Sequence, residues 1–130
     1  MERVIITLAA IGLLLAAVPV LAHHSFMSEF DLNKPVTLKG VITKVEWMNP
    51  HATFFMDVTD ESGAVKNWTV ESACPNALLR RGWTRTSLKL GDSVVVEGYR
   101  AKNGAPFAAT RSVTFANGVK VFADSDGIRP

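Results

Sequence analysis

Four turn signals, Asp60-Glu61-Ser62-Gly63, Gly91-Asp92, Asn103-Gly104 and Asn117-Gly118, punctuate this chain into runs in which apolar and polar residues alternate, the period of a half-buried strand. Ala52 to Val58 sets Phe54, Met56 and Val58 against Thr53 and Asp57. Val65 to Glu71 turns Trp68 and Val70 to the same side, so the two runs predict a hairpin. Pro35 to Met48 is longer and its alternation changes phase: Val36 and Leu38 share one face, and after Gly40 the apolar set moves to Val41, Val45 and Trp47. A glycine bulge that bends one long strand to serve two sheets leaves this signature. Asn49-Pro50 ends the run.

One helix is predicted, at residues 75 to 82. Pro75 suits a first helical position, Ala77, Leu78 and Leu79 follow, and Gly82 stands past the end. Gly91-Asp92 then leads into a fourth strand with Val94, Val96 and Gly98 on one face. Asn103-Gly104 turns the chain into Phe107 to Phe115, Asn117-Gly118 returns it through Val119 to Phe122, and residues 124–130 read as a polar frayed tail. The order is three strands, a helix, two strands and a short extension. That order, with a bent first strand, predicts an all-β chain with one short helix, arranged as a small OB-fold-like Greek-key barrel.

The start of the chain lies apart from this pattern. Arg3 precedes an apolar run from Val4 to Val18, and Pro19-Val20-Leu21-Ala22 ends it with Val20 and Ala22 at the small positions of a secretory cleavage site. Residues 1–22 therefore read as a signal peptide cut between Ala22 and His23, with residues 23–130 as a single domain. A retained membrane anchor is the alternative, since about 20 apolar residues span a bilayer. Cleavage implies a periplasmic or secreted protein with no further membrane attachment. Cys74 is the lone cysteine, so an exported chain of this kind draws its stability from packing instead of an internal disulfide.

Charge narrows the function classes. Fourteen Lys and Arg against twelve Asp and Glu give a net charge of +2, and they are spread without runs. This is not the footprint of a nucleic-acid binder, although OB-folds often serve that role. Trp47, Phe54 and Trp68 stand at alternating positions that a core claims. Trp83, just beyond the helix, reads as the cover of a barrel end. The sequence contains no Gly-rich phosphate loop, no Ser-His-Asp set and no framed pair of carboxylates, so binding is expected and turnover is not.

The three histidines of the chain are His23, His24 and His51. Cleavage at Ala22 puts an α-amine beside two imidazoles, nitrogen donors that lose their protons near neutral pH. Such donors favour Cu(II). A structural zinc site normally has four protein ligands, often thiolates, and only Cys74 is a thiol. His51 lies in the turn Asn49-Pro50-His51, where a barrel-end loop could meet the N-terminal segment, with Glu46 and Met48 as flanking donors. The plain alternative has His51 satisfying turn backbone groups and the other two solvated. Cys74 before Pro75 reads as a small N-cap residue, and the sequon Asn67-Trp68-Thr69 as a coincidence around a buried tryptophan.

Several stretches together resemble an uncharacterised group of exported bacterial proteins, domain of unknown function 6152. They are His23-His24-Ser25-Phe26, Lys34-Pro35-Val36-Thr37-Leu38-Lys39-Gly40, Glu46-Trp47 with Asn49-Pro50-His51, and Pro75-Asn76-Ala77-Leu78-Leu79-Arg80-Arg81-Gly82-Trp83. Leu88-Lys89, Gly91-Asp92 and Val96-Glu97-Gly98-Tyr99-Arg100-Ala101-Lys102 continue the match. Cys74 departs from the serine or other small residue of that group. The resemblance implies export and a small barrel-like fold, and it supplies no activity. The residues themselves predict a copper site at His23, His24 and His51. The alternative function is a module that docks onto another exported protein, with the histidines incidental; oxidative catalysis at an N-terminal histidine site ranks third.

Overall fold

One bent strand organises the molecule. In the computed structural model, which describes residues 28–124, β1 runs from Phe30–Glu46. Its first half pairs with β4 (Ser93–Ala101) and its second half with β2 (Thr53–Thr59), both antiparallel. Gly40 and Val41 sit at the handover and pair on both sides. β2 pairs in turn with β3 (Val65–Glu71), from Thr53↔Glu71 to Thr59↔Val65. The helix α1 (Pro75–Arg80) connects β3 to β4, and β4 pairs with β5 (Phe107–Phe115). A parallel pairing of Thr69, Val70 and Glu71 with Phe107, Ala108 and Ala109 joins β3 to β5, which closes the sheet into a ring. Farther along, β5 pairs with β6 (Lys120–Phe122).

The ring encloses Leu38, Ile42, Phe54, Met56, Trp68, Val70, Leu78, Trp83, Val94, Val96 and Val113 in one apolar cluster. At roughly 1.5–3 kcal/mol for each large side chain removed from water, this burial is the main stabilising contribution. The faces expected for Phe54 and Met56, for Trp68 and Val70, and for Val94, Val96 and Gly98 are the buried ones. The helix begins with Pro75 at its first turn, takes Cys74 as N-cap without a side-chain cap bond, and ends before Gly82, whose φ of +88° suits a residue without a Cβ. Trp83 covers an end of the core, as its position after the helix implied: it is 4% exposed, and its Nε1 donates to the Phe122 carbonyl at 3.0 Å.

Two expectations for the first strand need correction. The strand starts at Phe30, earlier than Pro35, and the phase change is not at Gly40. The inward set runs through Leu38 and Ile42, and the register with β2 shifts between Ile42 and Lys44, after which Val45 and Trp47 pack on the core. Val41, expected inside, is 42% exposed. Gly40 has a different task. Its backbone approaches β2 so closely that a Cβ there would overlap the Asp57 carbonyl oxygen and stand 3.0 Å from its carbon. Thr43, opposite no residue of β2, is where the extra residue resets the alternation.

A second, smaller cluster explains why β5 is buried at consecutive positions. Phe30 is 1% exposed and packs with Ala101, Ala109, Tyr99 and Phe107, its ring edge-on to Phe107 at 4.9 Å between centroids. Ala108 belongs to the main cluster and Ala109 to the Phe30 cluster, so the start of the described chain lies against the other face of β5.

Candidate functional site

His51 closes the connection from β1 to β2, and backbone pairing fixes it there. Ala52 N donates to the Ala73 carbonyl at 3.1 Å, Ser72 N donates to the Ala52 carbonyl at 2.9 Å, and Ser72 Oγ reaches the same carbonyl at 2.8 Å. The loop is thereby tied to the end of β3. His51 Nδ1 lies 3.1 Å from the Ser72 carbonyl oxygen. A carbonyl oxygen only accepts, so Nδ1 carries the hydrogen and the lone pair of the neutral ring belongs to Nε2. This part of the plain alternative is met, because one ring nitrogen does satisfy backbone.

The other nitrogen does not face backbone. Nε2 stands 3.6 Å from Glu71 Oε1, with Glu71 the half-buried last residue of β3. Burial raises the Glu71 pKa; His51 pulls it down to a smaller extent, and Glu29 adds to the rise. Glu29 is placed by the Phe30 anchor and by its carbonyl, which accepts from Lys102 N at 2.8 Å. Three elements thus contribute to one locality: the β1–β2 loop, the end of β3 and the start of the described chain.

The raised pKa fixes a sign. A carboxyl with a folded-state pKa above its unfolded value binds more protons when folded, so its stability contribution is full below the unfolded value and is lost as pH rises through the folded one. Without metal, Glu71→Gln is expected to melt higher than the wild type at pH 7. The difference should close as pH falls towards 4, in melts followed by circular dichroism. An equal offset at both pH values would refute this account of Glu71.

Other expected donors are not assembled here. His23 and His24 lie outside the described residues. Glu46 pairs with Lys44 at 2.5 Å, and Met48 is 57% exposed. Among the described residues no three His, Cys, Asp or Glu side chains come together in a group that could hold a metal ion. Asn67 is engaged by Thr43 and Asp57 through its Nδ2. Sequence reasoning missed Glu71 and Glu29. Alternation places Glu71 opposite the core, but no local signal says which loop crosses above it.

The β1–β2 loop also borders an open cleft of about 720 Å³ lined by Trp47, Met48, Asn49, Pro75, Asn76 and Leu79, among others. Met48 and Leu79 are exposed there. Among the described residues no helix is long and apolar enough to cross a membrane.

Fold and site together define a small closed β-sheet domain that presents an imidazole–carboxylate pair where the β1–β2 loop meets the end of β3. The chain belongs to a family of unknown function, DUF6152, whose model matches residues 10–114. No curated protein and no solved structure matches it.

Proposed function

We propose that this is an exported, non-enzymatic Cu(II)-binding domain, its ligands the His23 amine and imidazole, His24 and His51. The observation that carries this reading is the imidazole of His51, with Nδ1 committed to the Ser72 carbonyl and Nε2 left to face Glu71. Fixing one ring nitrogen on a backbone carbonyl is how proteins orient a metal-binding histidine. Further support comes from Glu29, whose charge bears on Glu71. His24 is four residues before Ser28, a reach of up to roughly 14 Å at about 3.3–3.6 Å per residue. Amine and imidazole donors favour Cu(II) over Zn(II). We also read the closed ring as an OB-fold-like Greek-key barrel, on the strength of its strand order, the parallel closure of β3 on β5 and a helix between β3 and β4.

Mass spectrometry of the exported protein is expected to return an N-terminus at His23, in keeping with a periplasmic or secreted location. That material should bind one Cu(II), more tightly than a short His-His-Ser peptide. His51→Ala should weaken binding about 10-fold or more, and one residue added before His23 should weaken it as well by displacing the amine. Affinity equal to the peptide's, with His51 present or replaced, would reject a site built by the fold.

A second reading has support in the cleft beside Met48 and Leu79, exposed apolar side chains of the kind that partner-binding surfaces use. Under it the domain docks onto another exported protein, and substitution at Met48 and Leu79, not at the histidines, abolishes function.

A further inference from the structure

We propose that Glu71 supplies a carboxylate ligand beside His51 Nε2, so that the folded domain contributes a nitrogen–oxygen half-site to a bound divalent cation. This rests on the copper reading above and adds a ligand to it.

The geometry of the pair is the starting point. With a hydrogen on Nδ1, the ring in its neutral form points a lone pair from Nε2 towards an oxygen that also carries lone pairs. At 3.6 Å the two atoms are beyond the 2.7–3.2 Å of a hydrogen bond. They are within the span of two donors each about 2 Å from a shared ion. Two electron-rich atoms held face to face are stabilised by a Lewis acid between them, either a proton or a metal ion.

The surroundings favour positive charge. Glu71 is half-buried, and no lysine or arginine of the described residues pairs with it. Glu29 adds a second negative charge from a different element. Holding a carboxylate this far from water with no lysine or arginine of the described residues beside it is costly, and a bound cation removes that cost. The His51 ring and the Glu71 backbone are also fixed before any ion arrives. Glu71 ends a strand paired on both sides, with Thr53 of β2 and Ala109 of β5, and His51 is held by the Ser72 carbonyl. Only the Glu71 side chain remains to be ordered on binding.

The test uses protein beginning at His23, which retains every strand of the described residues, with Glu71→Gln, His51→Ala and the double variant. Cu(II) affinity is measured by competition against a chelator of known strength, and the donor set by electron paramagnetic resonance. Glu71→Gln is expected to weaken Cu(II) about 10-fold or more and to shift the copper hyperfine coupling while the nitrogen superhyperfine pattern stays unchanged, since an oxygen donor is lost. His51→Ala is expected to remove one nitrogen from that pattern. The double variant should lose less than the product of the single losses, because both act at one ion. Wild-type affinity and spectrum in Glu71→Gln, with His51→Ala still weakened, would overturn the Glu71 assignment, leave the histidine reading standing and make a shared proton the occupant. Unchanged binding in both single variants would overturn the assignment and the role of His51 together. Loss of fold is checked by the metal-free melt, where Glu71→Gln is expected at or above the wild type at pH 7.

Discussion

Gly40→Ala and Gly98→Ala are each expected to cost about 3 kcal/mol or more, at the upper end of what overpacking does and a large share of the ~5–15 kcal/mol that holds a domain together. The cause is not backbone freedom. At Gly40 a Cβ overlaps the Asp57 carbonyl oxygen and meets Met56 Cε at 3.0 Å; at Gly98 it overlaps the Ala109 carbonyl oxygen and stands 3.3 Å from Thr110 Cα. Backbone cannot turn aside as the end of a flexible side chain can, so β1 must separate from β2 at Gly40 and β4 from β5 at Gly98. Gly63→Ala serves as the control, with a φ of +85° and nothing within 4 Å of an added Cβ. Its cost is that of a left-handed residue, about 1–2 kcal/mol. Urea unfolding should show a much lower midpoint for the first two variants than for the third. A Gly40→Ala protein as stable as Gly63→Ala would mean that β1 and β2 do not approach as described.

The same glycine shows how far periodicity carries. Alternation in β2, β3 and β4 reports which face is buried, because each of those strands keeps one phase over most of its length. It also placed the helix, since Pro75 and Gly82 mark backbone geometry directly. In β1 the phase change was visible and its position was not: Gly40 drew the bulge to itself, while the unpaired residue is Thr43, whose side chain carries no comparable mark. Phe30 escaped for another reason. The register with β4 slips between Phe30 and Pro35, so the first turn of extended chain has no repeating pattern to read. Of the site, His51 stood out by composition alone, because histidine is scarce here and sits beside a proline turn. Its partners did not, since the Ser72 carbonyl is backbone and Glu71 is an ordinary strand-end acid until the tertiary fold brings a loop over it. Closure of β3 onto β5 pairs Glu71 with Ala109, and a pairing between distant segments leaves no trace in the local pattern of either.

Phe30→Ala is expected to release the start of the chain while leaving the ring closed. Truncating a buried phenylalanine costs about 3–5 kcal/mol when the surroundings cannot collapse. Phe30 contacts a satellite cluster, not the main core, and only a short stretch of chain depends on it. That energy exceeds what a few terminal residues can hold, so the loss is taken locally, by fraying up to the Pro35↔Tyr99 pair. Amide exchange at Lys102, whose N–H is held by the Glu29 carbonyl, should accelerate on the order of 100-fold or more, while Val70 in β3 keeps its protection. Copper affinity offers a contrasting magnitude. Untethering at Phe30 nearly doubles the number of residues between the N-terminal histidines and the first pair that still holds, Pro35↔Tyr99. Loop-closure entropy grows by only about 0.6 kcal/mol per doubling, so the proposed site should weaken roughly threefold. A drop far beyond that would mean that residues 28–30 orient ligands and do more than shorten a tether, and Glu29 would be the group to test next. Equal loss of protection at Val70 and Lys102 would contradict the separation of the two clusters, because it would make Phe30 part of the cooperative core.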